Sequence, residues 1–307
     1  MSSPALPFAA AGGAAAPAAA APARHRQLES LPAELCTQLE RLRSRLQGFG
    51  AVVVAYSGGV DSALVAAVAA EQLGEGALAV TGVSPALAPY LLQEARQQAA
   101  WMGIRHQELA TAELQDPAYF RNPANRCYAC KKELHGVLAE QIAAGRGLQV
   151  VDGVNLDDLG DHRPGIEAAR EHGVISPLAE LGIDKAAVRQ ISRALGFPWW
   201  DKPAQPCLSS RFPYGEPITA QRLERLARAE EWLHRRGVRE LRVRVQGETA
   251  RIEVPADQLD SFLTRLPRQE LVDTFLGLGF TAVSLDLEGL VSGKLNRQLP
   301  VAATGRG

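Results

Sequence analysis

Ala51-Val52-Val53-Val54-Ala55 runs through Tyr56 into Ser57-Gly58-Gly59-Val60-Asp61-Ser62, and an Ala/Val/Leu-rich stretch follows from Ala63 to Gln72. The β-branched run reads as a buried strand and the Ala-rich stretch as a helix, so the six residues between them form a tight strand-to-helix turn. The first N–H groups of a helix lack intrahelical partners and carry the positive end of its dipole, which makes such a turn an anion site. Gly58 and Gly59 remove the Cβ atoms that would hold a phosphate away from the backbone. Ser57 and Ser62 add hydroxyl donors, and Asp61 is placed to orient the loop or to help hold a metal. No lysine closes the turn, so it is not the GxxxxGK[ST] phosphate loop.

Working outward, strands and helices alternate. A helix is expected over 31–47, a strand over 51–56, a helix over 61–73, a strand over 77–83, a helix over 87–102 and a strand near 104–109. A helix after Cys130, a strand over 148–151 and a helix over 183–195 continue the series. This order predicts a doubly wound α/β fold with a parallel sheet, whose ligands bind beyond the carboxyl ends of the strands, where the Ser57 turn falls. The pattern changes near Asp201. Prolines at 203, 206 and 213 break the chain, a long helix is expected over 218–236, and Leu241–Val245 and Arg251–Val254 alternate with period two around a turn at Gln246-Gly247-Glu248. Helices near 256–266 and 268–278 and a strand near 281–287 complete a smaller α+β domain. The expected organisation is a disordered tail over 1–27, the main domain over 28–207, the small domain over 208–300 and a tail over 301–307.

The 307 residues carry 33 Lys+Arg against 34 Asp+Glu, so no global field draws the chain to nucleic acid or to an anionic membrane. Pro4 to Ala23 contains only Ala, Gly, Pro, Leu and Phe, and its basic neighbours Arg24 and Arg26 follow the run instead of preceding it. That order fits neither a signal peptide nor a membrane span. Four cysteines do not make a disulfide scaffold, and a reducing, cytoplasmic compartment fits best. Cys36 falls on an amphipathic helix with Leu35, Leu39, Leu42 and Leu46 and reads as packing.

The other three cysteines point to chemistry. Cys127 and Cys130 form a CxxC followed by Lys131 and Lys132, and Cys207 sits in Lys202-Pro203-Ala204-Gln205-Pro206-Cys207-Leu208-Ser209-Ser210-Arg211. Zinc with His135 as fourth ligand, a redox dithiol, inert buried thiols, and a [4Fe–4S] cluster held by three cysteines with one open iron are the four readings. Spacing alone does not choose between zinc and iron–sulfur. Asp152-Gly153-Val154-Asn155-Leu156-Asp157-Asp158 follows a strand end and offers carboxylates, Asp158 among them, for Mg²⁺. Arg242 and Arg244 share a strand face and, with Arg211, are placed to clamp a substrate phosphate. Residues 222–251 hold nine arginines and five glutamates, so a salt-bridged surface accounts for many of these charges equally well.

Taken as strings, SGGVDS at 57–62 resembles the PP-loop of ATP pyrophosphatases. Six further stretches in matching order make the chain similar to the LarE family of PP-loop sulfur transferases: TGVSPAL at 81–87, NPANRCYACKKEL at 122–134, DGVNLDDLGDHRPG at 152–165, ISPL at 175–178, WDKPAQPCLSSRFPYG at 200–215 and LDLEG at 285–289. That family builds the nickel-pincer nucleotide cofactor of lactate racemase. The resemblance implies that ATP with Mg²⁺ adenylylates a carboxylate of pyridinium-3,5-biscarboxylic acid mononucleotide and that sulfur then displaces AMP. One branch of the family sacrifices a cysteine in the position of Cys207. The other has cysteines in the positions of Cys127, Cys130 and Cys207 and is similar to iron–sulfur thiolation enzymes, so the resemblance implies a [4Fe–4S] cluster here. It also implies a homo-oligomer, a sulfur donor and a nickel-inserting partner. A tRNA thiolation enzyme, an ammonia-using PP-loop synthetase and a nucleotide-binding redox regulator are the rival readings.

Overall fold

The computed structural model describes residues 29–143, 148–160 and 164–298. The two expected tails, 1–27 and 301–307, lie outside these residues, and the described chain begins at Glu29, within the expected main domain. The first half runs α1 (Ala33–Gln47), β1 (Val52–Ala55), α2 (Val60–Leu73), β2 (Ala77–Val83), α3 (Pro89–Met102), β3 (Arg105–Ala110), α4 (Pro117–Phe120), α5 (Arg126–Val137) and β4 (Gln149–Val151). Then follow α6 (Pro164–Glu171), α7 (Pro177–Glu180), α8 (Lys185–Ala194), α9 (Ala220–Arg235), β5 (Arg242–Gln246), β6 (Thr249–Glu253), α10 (Leu259–Arg265), α11 (Arg268–Gly277) and β7 (Ala282–Leu285).

The main sheet is four-stranded and all parallel in the order β3-β2-β1-β4. Both faces are covered, as a parallel sheet requires. Val52 and Val54 of β1 point into one core with α1, α2, α3 and α8, and Val53 and Ala55 point into another with residues of α5 and α6. β1 is therefore apolar at every position, which is why its periodicity reads as a continuous run. α2 is buried nearly all round, from Val60 to Ala70, because it lies between the sheet and α1. α1 presents Leu35, Leu39, Leu42 and Leu46 to α2 at helical spacing, and each buried leucine contributes about 2 kcal/mol.

Strand order reverses at β1, which has β2 on one side and β4 on the other. The connections leaving β1 and β4 thus meet at the carboxyl edge, the place where such sheets bind ligands.

The smaller unit is a mixed sheet, β5-β6 antiparallel and β6-β7 parallel, with Val243, Val245, Ala250 and Ile252 packed against Leu223, Leu226 and Leu233 of α9. Its core does not stop at the proposed domain boundary. Ala86, Ala88, Leu91 and Tyr119, all from the first half, belong to the same cluster. Asn122 explains the join: it is buried with φ +54°, a left-handed conformation asparagine tolerates, and its Nδ2 donates to the Pro213 carbonyl at 2.7 Å. Gly215 N–H donates to Asn122 O and Ile218 N–H to Phe120 O, both at 2.9 Å, so the segment leading to Cys127 is stitched to the segment leaving Cys207.

Candidate active site

The turn after β1 has the geometry that the glycines predict. Gly58 adopts φ +73°, and an added Cβ there would meet the Ala95 Cβ of α3 at 3.2 Å. Gly59 is the N-cap of α2 and supplies no side-chain cap, which leaves the helix start to a ligand. The two hydroxyls define the loop: Ser57 Oγ and Ser62 Oγ lie 3.1 Å apart, Ser57 N–H donates to Ser62 Oγ at 3.3 Å, and Ser62 Oγ donates to Gly59 O at 3.1 Å.

The segment after β4 closes on this loop. A Cβ on Gly153 would fall 2.5 Å from Ser62 N, so only glycine permits the approach. Asn155, buried, donates from Nδ2 to Asp61 Oδ1 at 3.1 Å. Asp158 accepts from Asn155 N–H at 3.1 Å and donates its own N–H to Asn155 Oδ1 at 3.3 Å, so it shapes the turn that aims Asn155. Burial pushes the Asp152 carboxyl above the usual carboxylate range. Asp61, Asn155 and Asp158 thus sit together, as a divalent cation with phosphates needs.

Two lysines that the sequence does not assign to the phosphate loop complete it. Lys185, the first residue of α8, pairs through Nζ with Asp61 Oδ2 at 2.5 Å. Lys202 donates from Nζ to the Gly58 carbonyl at 3.1 Å and pairs with Glu94 Oε2 at 2.7 Å. Both come from more than a hundred residues away, where no local spacing signals them.

The thiols approach one another from two segments. Cys127 and Cys130 lie in the first turns of α5, which begins at Arg126, not after Cys130 as the sequence reading expects. Cys207 stands immediately before the Leu208–Arg211 turn. Cys127 and Cys207 are exposed and Cys130 is half-buried, and none of the three is in a disulfide. Burial pushes the Cys130 thiol up to about 12, and the neighbouring Cys207 and Glu113 charges push the same way. Tyr119, buried and bonded to Ser209 Oγ, is raised by burial and by the Cys207 charge.

Three thiols approaching from two segments suit a thiophilic centre in donor chemistry. In arrangement, no three His, Cys, Asp or Glu side chains among the described residues are grouped so as to hold a metal ion. His135, the fourth ligand of the zinc reading, is buried and pushed down to about 3 by burial and by the Lys131 and His172 charges.

The arginines have distinct roles. Arg211 pairs through Nε and Nη2 with the two oxygens of Glu230 at 2.8 and 3.0 Å, and its Nη1 donates to the Pro206 carbonyl at 2.9 Å. Arg244 pairs with Glu253 at 3.0 Å and donates to the Ser210 carbonyl at 2.6 Å. Both therefore brace the Cys207 segment. Arg242 lies on the same face of β5 as Arg244 and lines a shallow open cavity with Arg211, Tyr90, Gln205, His234 and Arg239. Burial, then the charges of Arg244 and Arg211, lower its pKa. A guanidinium under that repulsion gains from any anion that enters.

The sequence model of the asparagine synthase family matches residues 39–124, the part that carries the phosphate loop. An uncharacterised protein of Synechocystis sp. is 54% identical over 264 residues, which is 86% of this chain and 98% of that one. The pyridinium-3,5-bisthiocarboxylic acid mononucleotide synthase of Lactiplantibacillus plantarum is 34% identical over 274 residues, 88% of this chain and 98% of the synthase. An uncharacterised protein of Methanocaldococcus jannaschii is 29% identical over 237 residues, 77% of this chain and 89% of its own length. With the phosphate loop at the switch point of a parallel sheet and a relative matched nearly end to end, the chain belongs to the family of the pyridinium-3,5-bisthiocarboxylic acid mononucleotide synthase, ATP-using enzymes of the PP-loop fold.

Proposed function

We propose that this protein is an ATP-dependent sulfur transferase that thiolates the carboxylates of a pyridinium-3,5-biscarboxylic acid mononucleotide, toward a nickel-pincer cofactor. One observation carries the reading: a single short segment joins all the parts. Lys202 touches the phosphate loop, Cys207 is exposed five residues on, and Arg211 lines the arginine cavity.

A carboxylate is a poor electrophile, so it must first be given a leaving group. A substrate carboxylate oxygen attacks the α-phosphorus of ATP and pyrophosphate departs, its charge held by the α2 N-terminus, Ser57 and Ser62; Asp61 and Asp158 would hold a Mg²⁺ that adds to this neutralisation. Arg242, with Arg211 at the cavity wall, holds the substrate phosphate. Sulfur then attacks the acyl carbon and AMP leaves, which gives a thiocarboxylate. Two rounds make the bisthiocarboxylate.

Two sulfur sources are compatible with these residues. Cys207 can attack as its thiolate; loss of its Cα proton and cleavage of its Cβ–S bond then release the thiocarboxylate and leave dehydroalanine. Alternatively Cys127, Cys130 and Cys207 would hold a [4Fe–4S] cluster, which would supply an exchangeable sulfide. The presence of Cys127 and Cys130 favours the second source, and a separate sulfur donor would then reload it. A homo-oligomer and a nickel-inserting partner belong to the same proposal.

The test supplies Mg-ATP and the biscarboxylate mononucleotide and follows AMP, pyrophosphate and product mass. Substrate-dependent AMP and pyrophosphate with a thiocarboxylate product support the reading. An amide product in the presence of ammonia, or nucleotide binding without pyrophosphate release, refutes it.

A further inference from the structure

The phosphate loop contains no lysine of its own, yet an almost fully covered one is delivered to it. The Lys202 side chain is 11% exposed, and its Nζ lies 3.1 Å from the Gly58 carbonyl. Its counter-ion, Glu94 of α3, is 42% exposed and is thus the more easily released partner. A Cβ on Gly58 would meet the Ala95 Cβ at 3.2 Å, so the loop runs close against α3. An ammonium held at the rim of an anion site and paired with a half-solvated carboxylate exchanges that carboxylate for a phosphate oxygen when one arrives.

The chain from Lys202 to Cys207 is short and stiff. Pro203 and Pro206 fix two φ angles, and five residues span at most about 18 Å. Its far end is anchored by Leu208 N–H donating to Ala86 O at 2.9 Å and by Arg211 on the Pro206 carbonyl. The span therefore has two held ends and little slack, so a shift of Lys202 is felt as strain at the Pro206–Cys207 link.

We infer that Lys202 is a positioning residue that binds the nucleotide phosphates and thereby sets the position of the Cys207 thiol, so that sulfur is presented only when the phosphate loop is filled. The inference rests on the nucleotide reading above. Filling the loop draws Lys202 off Glu94, and the Pro203–Pro206 span carries that change to Cys207.

The experiment uses the full-length, metal-free chain and α,β-methylene-ATP with Mg²⁺, an analogue that cannot release pyrophosphate. Calorimetry gives its affinity, and mass spectrometry gives the rate of Cys207 alkylation by iodoacetamide with and without saturating analogue. For the unaltered chain, bound analogue should change the alkylation rate about threefold or more. Lys202→Met should weaken the analogue about tenfold, the worth of one charge-assisted hydrogen bond, and abolish the alkylation response at saturation. Lys202→Arg should restore part of both. Glu94→Gln, a surface change that leaves the core intact, should tighten the analogue by releasing Lys202. An alkylation rate indifferent to bound analogue, or a full response in Lys202→Met at saturation, overturns the inference and leaves the nucleotide site standing. Absence of any analogue binding by the unaltered chain overturns the nucleotide reading together with it.

Discussion

Glu230→Gln tests how the Cys207 segment is held. The Glu230 side chain is 0% exposed and its partner Arg211 3% exposed, with the two groups joined by hydrogen bonds of 2.8 and 3.0 Å. Glu230 Oε1 also accepts from Val243 N–H at 2.9 Å, so the carboxylate ties α9, β5 and the Cys207 turn together. Gln has nearly the same shape and removes only the charge, leaving a buried guanidinium without its counter-ion. Breaking a buried pair in this way costs about 3–5 kcal/mol, a large share of the roughly 5–15 kcal/mol that holds a typical domain. For a unit of this size the midpoint of thermal unfolding should fall by about 10 °C. Urea unfolding followed by tryptophan fluorescence gives the free energy, with Trp232 on α9 as a reporter. The paired change Arg211→Met/Glu230→Leu removes both charges and should recover most of the loss. Its catalysis should not recover, because Arg211 also holds the Pro206 carbonyl. A loss below about 1 kcal/mol in Glu230→Gln would refute the view that this pair is fully desolvated.

Further outcomes follow from other residues. His135 is pushed down to about 3 in the folded chain and returns toward 6.5 on unfolding, so the unfolded state binds the extra proton. Its stability contribution is complete above about pH 6.5 and is lost as pH falls toward 3, by up to about 5 kcal/mol. Urea unfolding of His135→Phe should show a smaller loss between pH 7.5 and 5 than the unaltered chain, and an equal loss would contradict the assignment. Gly153→Ala places a Cβ 2.5 Å from Ser62 N and should weaken nucleotide binding at least about tenfold in calorimetry while circular dichroism stays unchanged. Cys207→Ala should abolish thiocarboxylate formation by either sulfur source. Cys127→Ala divides the two sources: single-turnover thiolation persists if Cys207 is sacrificed and disappears if a cluster supplies the sulfur.

The phosphate loop was legible because strand, glycines and helix are consecutive, and the strand–helix alternation carried the parallel sheet with it. Expected and observed element ends differ by a few residues at most along β1, α2, β2, α3 and β3. The departures have local causes. α6 and α7 begin with Pro164 and Pro177, so their first residues read as breaks. α5 starts at Arg126 because the break is set by Asn122, whose left-handed backbone is held by a hydrogen bond to Pro213 far along the chain.

The site was legible in residue types but not in pairings. Alternation placed Arg242 and Arg244 on one hairpin face, and the β5–β6 register sets Glu253 opposite Arg242. Which arginine stays available is decided by Glu230, which arrives from α9 and takes Arg211. Lys185 lies in none of the quoted stretches, and Lys202 lies in WDKPAQPCLSSRFPYG with no spacing that ties it to the phosphate loop. Their role depends on α8 and the Pro203–Pro206 span folding back over the loop, a long-range event that composition does not record.

The most direct measurement of the central claim is rapid-quench analysis of Cys207→Ala with Mg-ATP and the biscarboxylate mononucleotide. The account predicts a single burst of pyrophosphate equal to the chains present, an acyl-adenylate retained on the enzyme, and no thiocarboxylate. A thiocarboxylate formed without Cys207, or the absence of any pyrophosphate burst, would contradict it.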